Sequence, residues 1–196
     1  MNNQSKKAID TLLSESFKEL STKKPIEKIT IKEITDKAGV IRPTFYNHFQ
    51  DKYELLQWIV SVELVDPLRE YVKKGQVKEG VMGVLETIDK DRSFYVAASR
   101  LEGQNSFSES LRELMYELCL EFLDVSKLQR YSGYAWLTTD RVAILYGEVM
   151  SFMVIEWITS TLNVSKHEVA DAIINVLKYA PAEFFQVKDK GGEGQR

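Results

Sequence analysis

Residues 30–52, TIKEITDKAGVIRPTFYNHFQDK, decide how the rest of the chain is read. Ile31, Ile34 and Ala38 recur at helical spacing, and Gly39 can enter the left-handed region without strain, so a first short helix ends there. Val40 then drops into the core. Pro43 stands at the start of a second helix, where its missing N–H costs nothing. In that second helix Phe45 and Phe49 lie four apart and share the inward face. The outward arc is Pro43, Thr44, Tyr46 and Asn47, with His48 on its flank and Arg42 at its beginning. This slim face has little charge but several hydrogen-bonding groups, which suits the major groove of DNA, about 12 Å wide. Thr30 with Glu33, and Asp51 with Glu54, fit the capping-box pattern and give the helices on either side of the motif defined starts.

Sorted by chemistry, Arg42, Thr44, Tyr46 and Asn47 are the candidates for base edges, and Thr30, His48 and Lys52 for phosphates. Lys6 and Lys7 fall in the first turn of an earlier helix, where they oppose its dipole; a nearby phosphate would make them useful, and a solvated helix start is the alternative.

The run T-x-x-E-I-x-x-x-A-G-V-x-R-x-T-F-Y-x-H-F-x-D-K-x-E-L-L closely resembles the DNA-binding domain of the TetR family of bacterial transcription regulators, over roughly residues 5 to 58. Ile41 departs from the family pattern, which usually has a serine there that caps the recognition helix and touches phosphate. Pro43, commonly glycine in the family, removes a backbone N–H from the same face.

At 196 residues and 44% apolar content the chain can bury a full core, in one or two domains. Four prolines, ten glycines and no low-complexity run or repeat point to a compact all-α protein. Met1 to Lys7 is polar and no apolar segment follows it, so no signal peptide is expected. Val142 to Ile158 is apolar but carries Glu148 and Glu156, so a buried helix is expected there rather than a membrane span. The single cysteine, Cys119, excludes an internal disulfide, fits the cytoplasm, and reads as an inert core residue, with a redox sensor as the alternative. Residues 1–58 carry ten Lys and Arg against eight Asp and Glu, a balance of +2, and the remainder carries −5. The asymmetry is modest, so DNA affinity would depend on placed groups rather than on a strong field.

Taken in order, the pattern predicts a first helix over about 5–20, a polar connector to Ile29, the paired helices, and a helix from Asp51 to Val65 that Asp66-Pro67 ends or kinks. A short helix to Lys74 follows, then a hairpin over about 78–88 and 92–101. The EGQNSF loop leads to a helix opening at the capping box Ser106 to Glu109, and then comes a loop of about ten residues including Gly133. The last two helices run over about 139–161, apolar nearly all round, and from Ser165 to about Ala180 with Val169, Ala172, Ile173, Val176 and Leu177 apolar. A helix apolar on every side needs cover on every side, which predicts a homodimer with a four-helix interface and a mate-facing Ile173. The domains expected are 1–50 for DNA binding, 51–187 for regulation and dimerisation, and a disordered tail at 188–196.

Residues 51 to about 181 more loosely resemble TetR regulators similar to dihydroxyacetone-kinase operon regulators, through DKYELLQWI, the EGQNSF loop and the late EWI helix. This resemblance implies an all-α regulatory domain with a two-helix dimer interface and identifies no effector. Candidate pocket residues are Tyr95, Arg100, Trp136, Phe152, Glu156 and Trp157, with core packing as the alternative for each. No catalytic, metal or cofactor motif is present: His48 and His167 stand far apart in the sequence without partners at ligand spacing, and there is no Walker, G-x-S-x-G or G-x-G-x-x-G signature. Three readings remain open: a DNA-binding regulator answering to a small molecule and bound to a palindromic operator, one answering to a protein partner, and a helical interaction module that Ile41 and Pro43 have taken off DNA.

Overall fold

The computed structural model describes residues 3–103, 105–123, 136–162 and 164–178. All regular elements among them are helical. α1 (Asn3–Ser21) buries Leu13 and Phe17 completely, and a 3-10 turn (Ile26–Lys28) follows Pro25. α2 (Ile31–Ala38) opens on a complete capping box: Thr30 N–H donates to the Glu33 carboxylate at 2.9 Å, and Glu33 N–H donates back to Thr30 Oγ1 at 3.3 Å. Gly39 ends it at φ +69°, a conformation only glycine adopts freely. α3 (Arg42–Tyr46) is shorter than the spacing of Phe45 and Phe49 suggests, because Asn47 closes it and a tight turn carries Phe49 back to the core. The two rings still meet, 5.9 Å apart.

Asp51 caps α4 (Lys52–Val60) by accepting from the N–H groups of Tyr53 and Glu54. The reciprocal half of the expected box does not form: the Glu54 carboxylate instead takes the N–H of Gln50. The helix also does not end at Asp66-Pro67. It passes through a π turn (Ser61–Val65) straight into α5 (Asp66–Lys73). In the π turn Asp66 N–H donates to the carbonyl of Ser61, five residues back, and this wider winding accommodates the proline that an α-helix would have rejected.

α6 (Val77–Lys90) and α7 (Arg92–Ser99) are the two predicted helices with only Asp91 between them, but α6 packs mainly along α5 rather than folding back on α7; Ser106 caps α8 (Phe107–Phe122). α9 (Thr139–Thr159) lies along α8. They approach so closely that a Cβ on Gly147 would sit 3.0 Å from the Tyr116 backbone nitrogen. α10 (Lys166–Lys178) packs on α6 and α9. One contiguous core runs from Leu13 in α1 to Ile174 in α10, so the DNA-binding and regulatory parts share their packing through α4, the π turn and α7.

α9 is long and apolar enough to cross a membrane by length and composition alone. Among the described residues it is not covered all round. Val142, Ala143, Gly147, Ser151, Val154, Trp157 and Ile158 are buried, whereas Ile144, Leu145 and Phe152 are exposed. On α10 the buried stripe is Val169, Ala170, Ile173 and Ile174, so Ile173 faces the interior and not a mate, while Ala172 and Val176 point outward. Cys119 is half-buried rather than a core residue; burial pushes its thiol up to about 11, which leaves it a poor nucleophile at neutral pH. The expected loop around Gly133, Ala180 and the tail at 188–196 lie outside the described residues, as does the Leu177 side chain.

Candidate nucleic-acid interface and regulatory core

Arg42, Pro43, Tyr46 and Asn47 are exposed on one side of α3 and Thr44 is half-exposed, while Phe45 on the other side is fully buried. Arg42 Nη2 donates to the Tyr46 hydroxyl at 3.3 Å, and its guanidinium lies 6.0 Å from that ring. This pairing holds the arginine against the helix and reduces what it must lose on binding. Ile41 occupies the N-cap with no side-chain hydrogen bond; Pro43 has no N–H to offer, and the Thr44 N–H donates to the Ile41 carbonyl at 2.9 Å. Thr30 is exposed at the start of α2, and Lys6 and Lys7 are exposed on α1.

Two of the expected phosphate ligands are placed differently. The His48 side chain is 2% exposed, and its Nδ1 donates to Asp10 Oδ1 at 2.6 Å, tying the end of α3 to α1. Lys52 directs its ammonium at three backbone carbonyls, those of Ile26, Glu27 and Ile29, at 2.7–2.9 Å. All three of its donors are used, and desolvation lowers its pKa. It closes the 3-10 turn instead of standing ready for phosphate. Lys52→Ala is therefore expected to cost about 1 kcal/mol of folding stability, after discounting a half-exposed group, in denaturant titration. Unchanged stability with a loss of random-DNA affinity would return this lysine to the phosphate set.

The six candidate pocket residues do not converge. Arg100, Trp136, Phe152 and Glu156 are exposed, and only Tyr95 and Trp157 are buried. Phe152 and Glu156 stand four apart on the uncovered face of α9, which explains both. Arg100 lies in the turn after α7 and faces solvent, so no charge is buried there. Trp136 carries the Arg141 guanidinium 4.7 Å from its ring, and Trp157 carries that of Arg92 at 4.7 Å while donating its indole N–H to Val164 O. An apolar cavity lies elsewhere, between the π turn, α5, α6, α8, α9 and α10. It has about 20 Å³ of room, and its walls include Leu64, Val65, Met115, Met150, Ser151 and Ile173. Periodicity marked most of these as apolar, but no sequence signal shows where two apolar faces fail to meet.

Above this cavity a polar cluster joins α1 to the regulatory helices. Lys18 Nζ donates to Glu63 Oε1 at 2.8 Å and to Asp91 Oδ2 at 2.7 Å, and the Tyr95 hydroxyl donates to Glu63 Oε2 at 2.9 Å. The Phe17 and Phe94 rings pack edge to face beside it, 6.3 Å apart. Burial draws the Lys18 pKa down, but the hydrogen bonds to Asp91 and Glu63 outweigh it and leave the group above 10.5. A raised lysine stabilises the fold below its unfolded pKa and stops doing so as pH rises through the folded value, so this cluster is intact across the neutral range. Burial and then the Glu63 charge raise Tyr95, which keeps it a neutral donor.

A short helix offering hydrogen-bonding side chains from a three-helix unit, joined by a continuous rod to a helical core, is the architecture of a helix-turn-helix DNA-binding regulator. The profile described as "Bacterial regulatory proteins, tetR family" matches residues 18–59, and that of a "Transcriptional regulator C-terminal region" matches residues 75–179, over half of the chain. The chain belongs to the TetR family of bacterial transcriptional regulators. It is 28% identical over 92 residues to the HTH-type dhaKLM operon transcriptional activator DhaS of Lactococcus lactis, a match that covers 46% of this chain and spans only 49% of that relative. It is 24% identical over 176 residues to an uncharacterized HTH-type transcriptional regulator of Haemophilus influenzae, covering 84% of this chain and 82% of the other. Among solved structures, the dihydroxyacetone kinase operon activator DhaS superposes with a TM-score of 0.59 at 20% identity, covering 86% of this chain and 93% of its own. Thermus thermophilus FadR, a TetR-family repressor in complex with lauroyl-CoA, gives 0.56 at 16% identity, covering 95% and 100%. These superpositions show the fold.

Proposed function

We propose that this TetR regulator acts in the cytoplasm as a homodimer on a palindromic operator, and that a small molecule in the regulatory core changes its DNA affinity. The observation that carries this reading is the π turn: Leu64 and Val65 wall the cavity, while Glu63 beside them grips Lys18 of α1. One turn thus touches both the space an effector would fill and the unit that would hold DNA. The domain division at about residue 50 then describes two units sharing one hinge, with α4 belonging to both. The exposed stripe on α9, beside the exposed Glu148 and Glu156, suits a second copy of the chain rather than lipid. The exposed set Arg42, Thr44, Tyr46 and Asn47 argues against a module that has left DNA.

Two recognition helices related by the dimer axis would enter successive major grooves, so half-site centres should lie about 34 Å apart or slightly more. Arg42, Thr44, Tyr46 and Asn47 would read bases, with Lys6, Lys7 and Thr30 on phosphates. Footprinting of the purified protein on the DNA upstream of its own gene should show two protected half-sites. Asn47→Ala should narrow the preference for that site over random DNA about tenfold, the value of one good base contact. A single isolated half-site, or no protection, would overturn this reading.

A further inference from the structure

Resting on the reading that the regulatory core accepts an effector, we infer that its ligand is an uncharged, mostly aliphatic molecule with one hydroxyl or carbonyl, and that Ser151 is the residue that recognises it. The cavity walls are aliphatic and thioether side chains, and Ser151 is the only polar residue among them. No carboxylate, ammonium or guanidinium lines it, so an ion entering would lose its hydration without a counter-charge.

Ser151 is fully buried in α9, and its hydroxyl is the one buried side-chain polar atom without a hydrogen-bond partner among the described residues. Such an orphan costs about 1–3 kcal/mol. A trapped water would not repair it, because a water needs two to four polar partners and this cavity offers one. A ligand with an aliphatic body and a single hydrogen-bonding group supplies what both the walls and the hydroxyl lack. The room is small as it stands, but Met115 and Met150 form part of the lining, and methionine is unbranched and readily repacks. Leu64 and Val65, on the π turn, would be displaced as the cavity filled.

A purely steric role for Ser151 is the competing account. Ala143, Gly147 and Ser151 repeat every four residues where α9 meets α8, and a small side chain is needed there. Alanine would fill that role equally well, so Ser151→Ala separates the two accounts without enlarging the side chain.

The test uses the full chain with labelled methionine methyl groups, titrated with 1-hexanol, hexane and hexanoate and observed by NMR. 1-Hexanol should move the Met115 and Met150 signals in the wild type and bind Ser151→Ala about tenfold more weakly. Hexane should bind both proteins alike, and hexanoate should leave the signals in place. The inference is overturned if 1-hexanol binds Ser151→Ala as it binds the wild type, if hexanoate binds as well as the alcohol, or if none of the three moves these signals. Operator affinity measured in the same samples keeps the two ideas apart. Serine-dependent binding that leaves DNA affinity unchanged supports the ligand class and removes the effector role from the proposed function.

Discussion

Phe152→Glu should yield a monomer whose operator affinity is lower by at least about a thousandfold. Phe152 is 62% exposed, Leu145 56% and Ile144 48%, all on the side of α9 that no helix among the described residues covers, and Val176 on α10 is exposed as well. A second copy placed against this stripe would form the four-helix bundle that paired apolar faces favour. A charge at its centre would be buried without a partner, which costs more than a dimer of ordinary size can spare. The DNA effect follows from geometry. Once one half-site is held, the tethered second recognition helix experiences an effective concentration in the millimolar range, and a monomer at nanomolar concentration loses that advantage. Light scattering and fluorescence anisotropy on a labelled operator check the two halves. Ile173→Glu is the control. The sequence pattern names it as mate-facing, but Ile173 is 2% exposed and lines the cavity, so this substitution should lower the thermal midpoint rather than dissociate a folded dimer. If Phe152→Glu remains dimeric, the interface lies elsewhere.

Glu63→Gln should separate effector binding from DNA release. Glu63 accepts from both Lys18 and Tyr95, one carboxylate oxygen for each, and an amide can accept at only one of its two heteroatoms. Removing one partner of a fully buried pair costs 3–5 kcal/mol; Lys18, Glu63 and Asp91 retain 17–34% of their side-chain exposure, so about 1–2 kcal/mol is expected here. A hundredfold release of DNA requires about 2.7 kcal/mol of coupling between the two sites. If the cluster transmits most of that coupling, a compound that releases the wild type a hundredfold should release Glu63→Gln less than tenfold while binding it comparably. Trp58, whose ring meets Phe49 at 5.9 Å, reports from the junction of α4 and the recognition unit. Its fluorescence should follow the compound in the wild type and respond weakly in the variant. A full response with Glu63 neutralised would move the signal to the Phe17–Phe94 contact or to the rod itself.

The sequence by itself determined what depends on near neighbours. The capping box of Thr30 and Glu33, the left-handed Gly39, the first-turn Pro43 and the inward pair Phe45 and Phe49 are all interactions over three or four residues, and these fix the helix-turn-helix and the exposed set around Asn47. Tertiary structure alone decided which partner each long side chain found. His48 meets Asp10 and Lys52 meets Ile26, Glu27 and Ile29, across 23 to 38 residues, so groups with phosphate-binding chemistry became struts inside the unit. Lys18, Glu63, Asp91 and Tyr95 come from α1, the π turn, the turn between α6 and α7, and α7, and nothing in their local context foretells that they converge. The same holds for the cavity and for the inward turn of Ile173. Periodicity shows that a helix has an apolar face, but only packing against particular neighbours determines which of those residues close on the core, which stay open to a partner, and where a hydroxyl such as that of Ser151 is left without one.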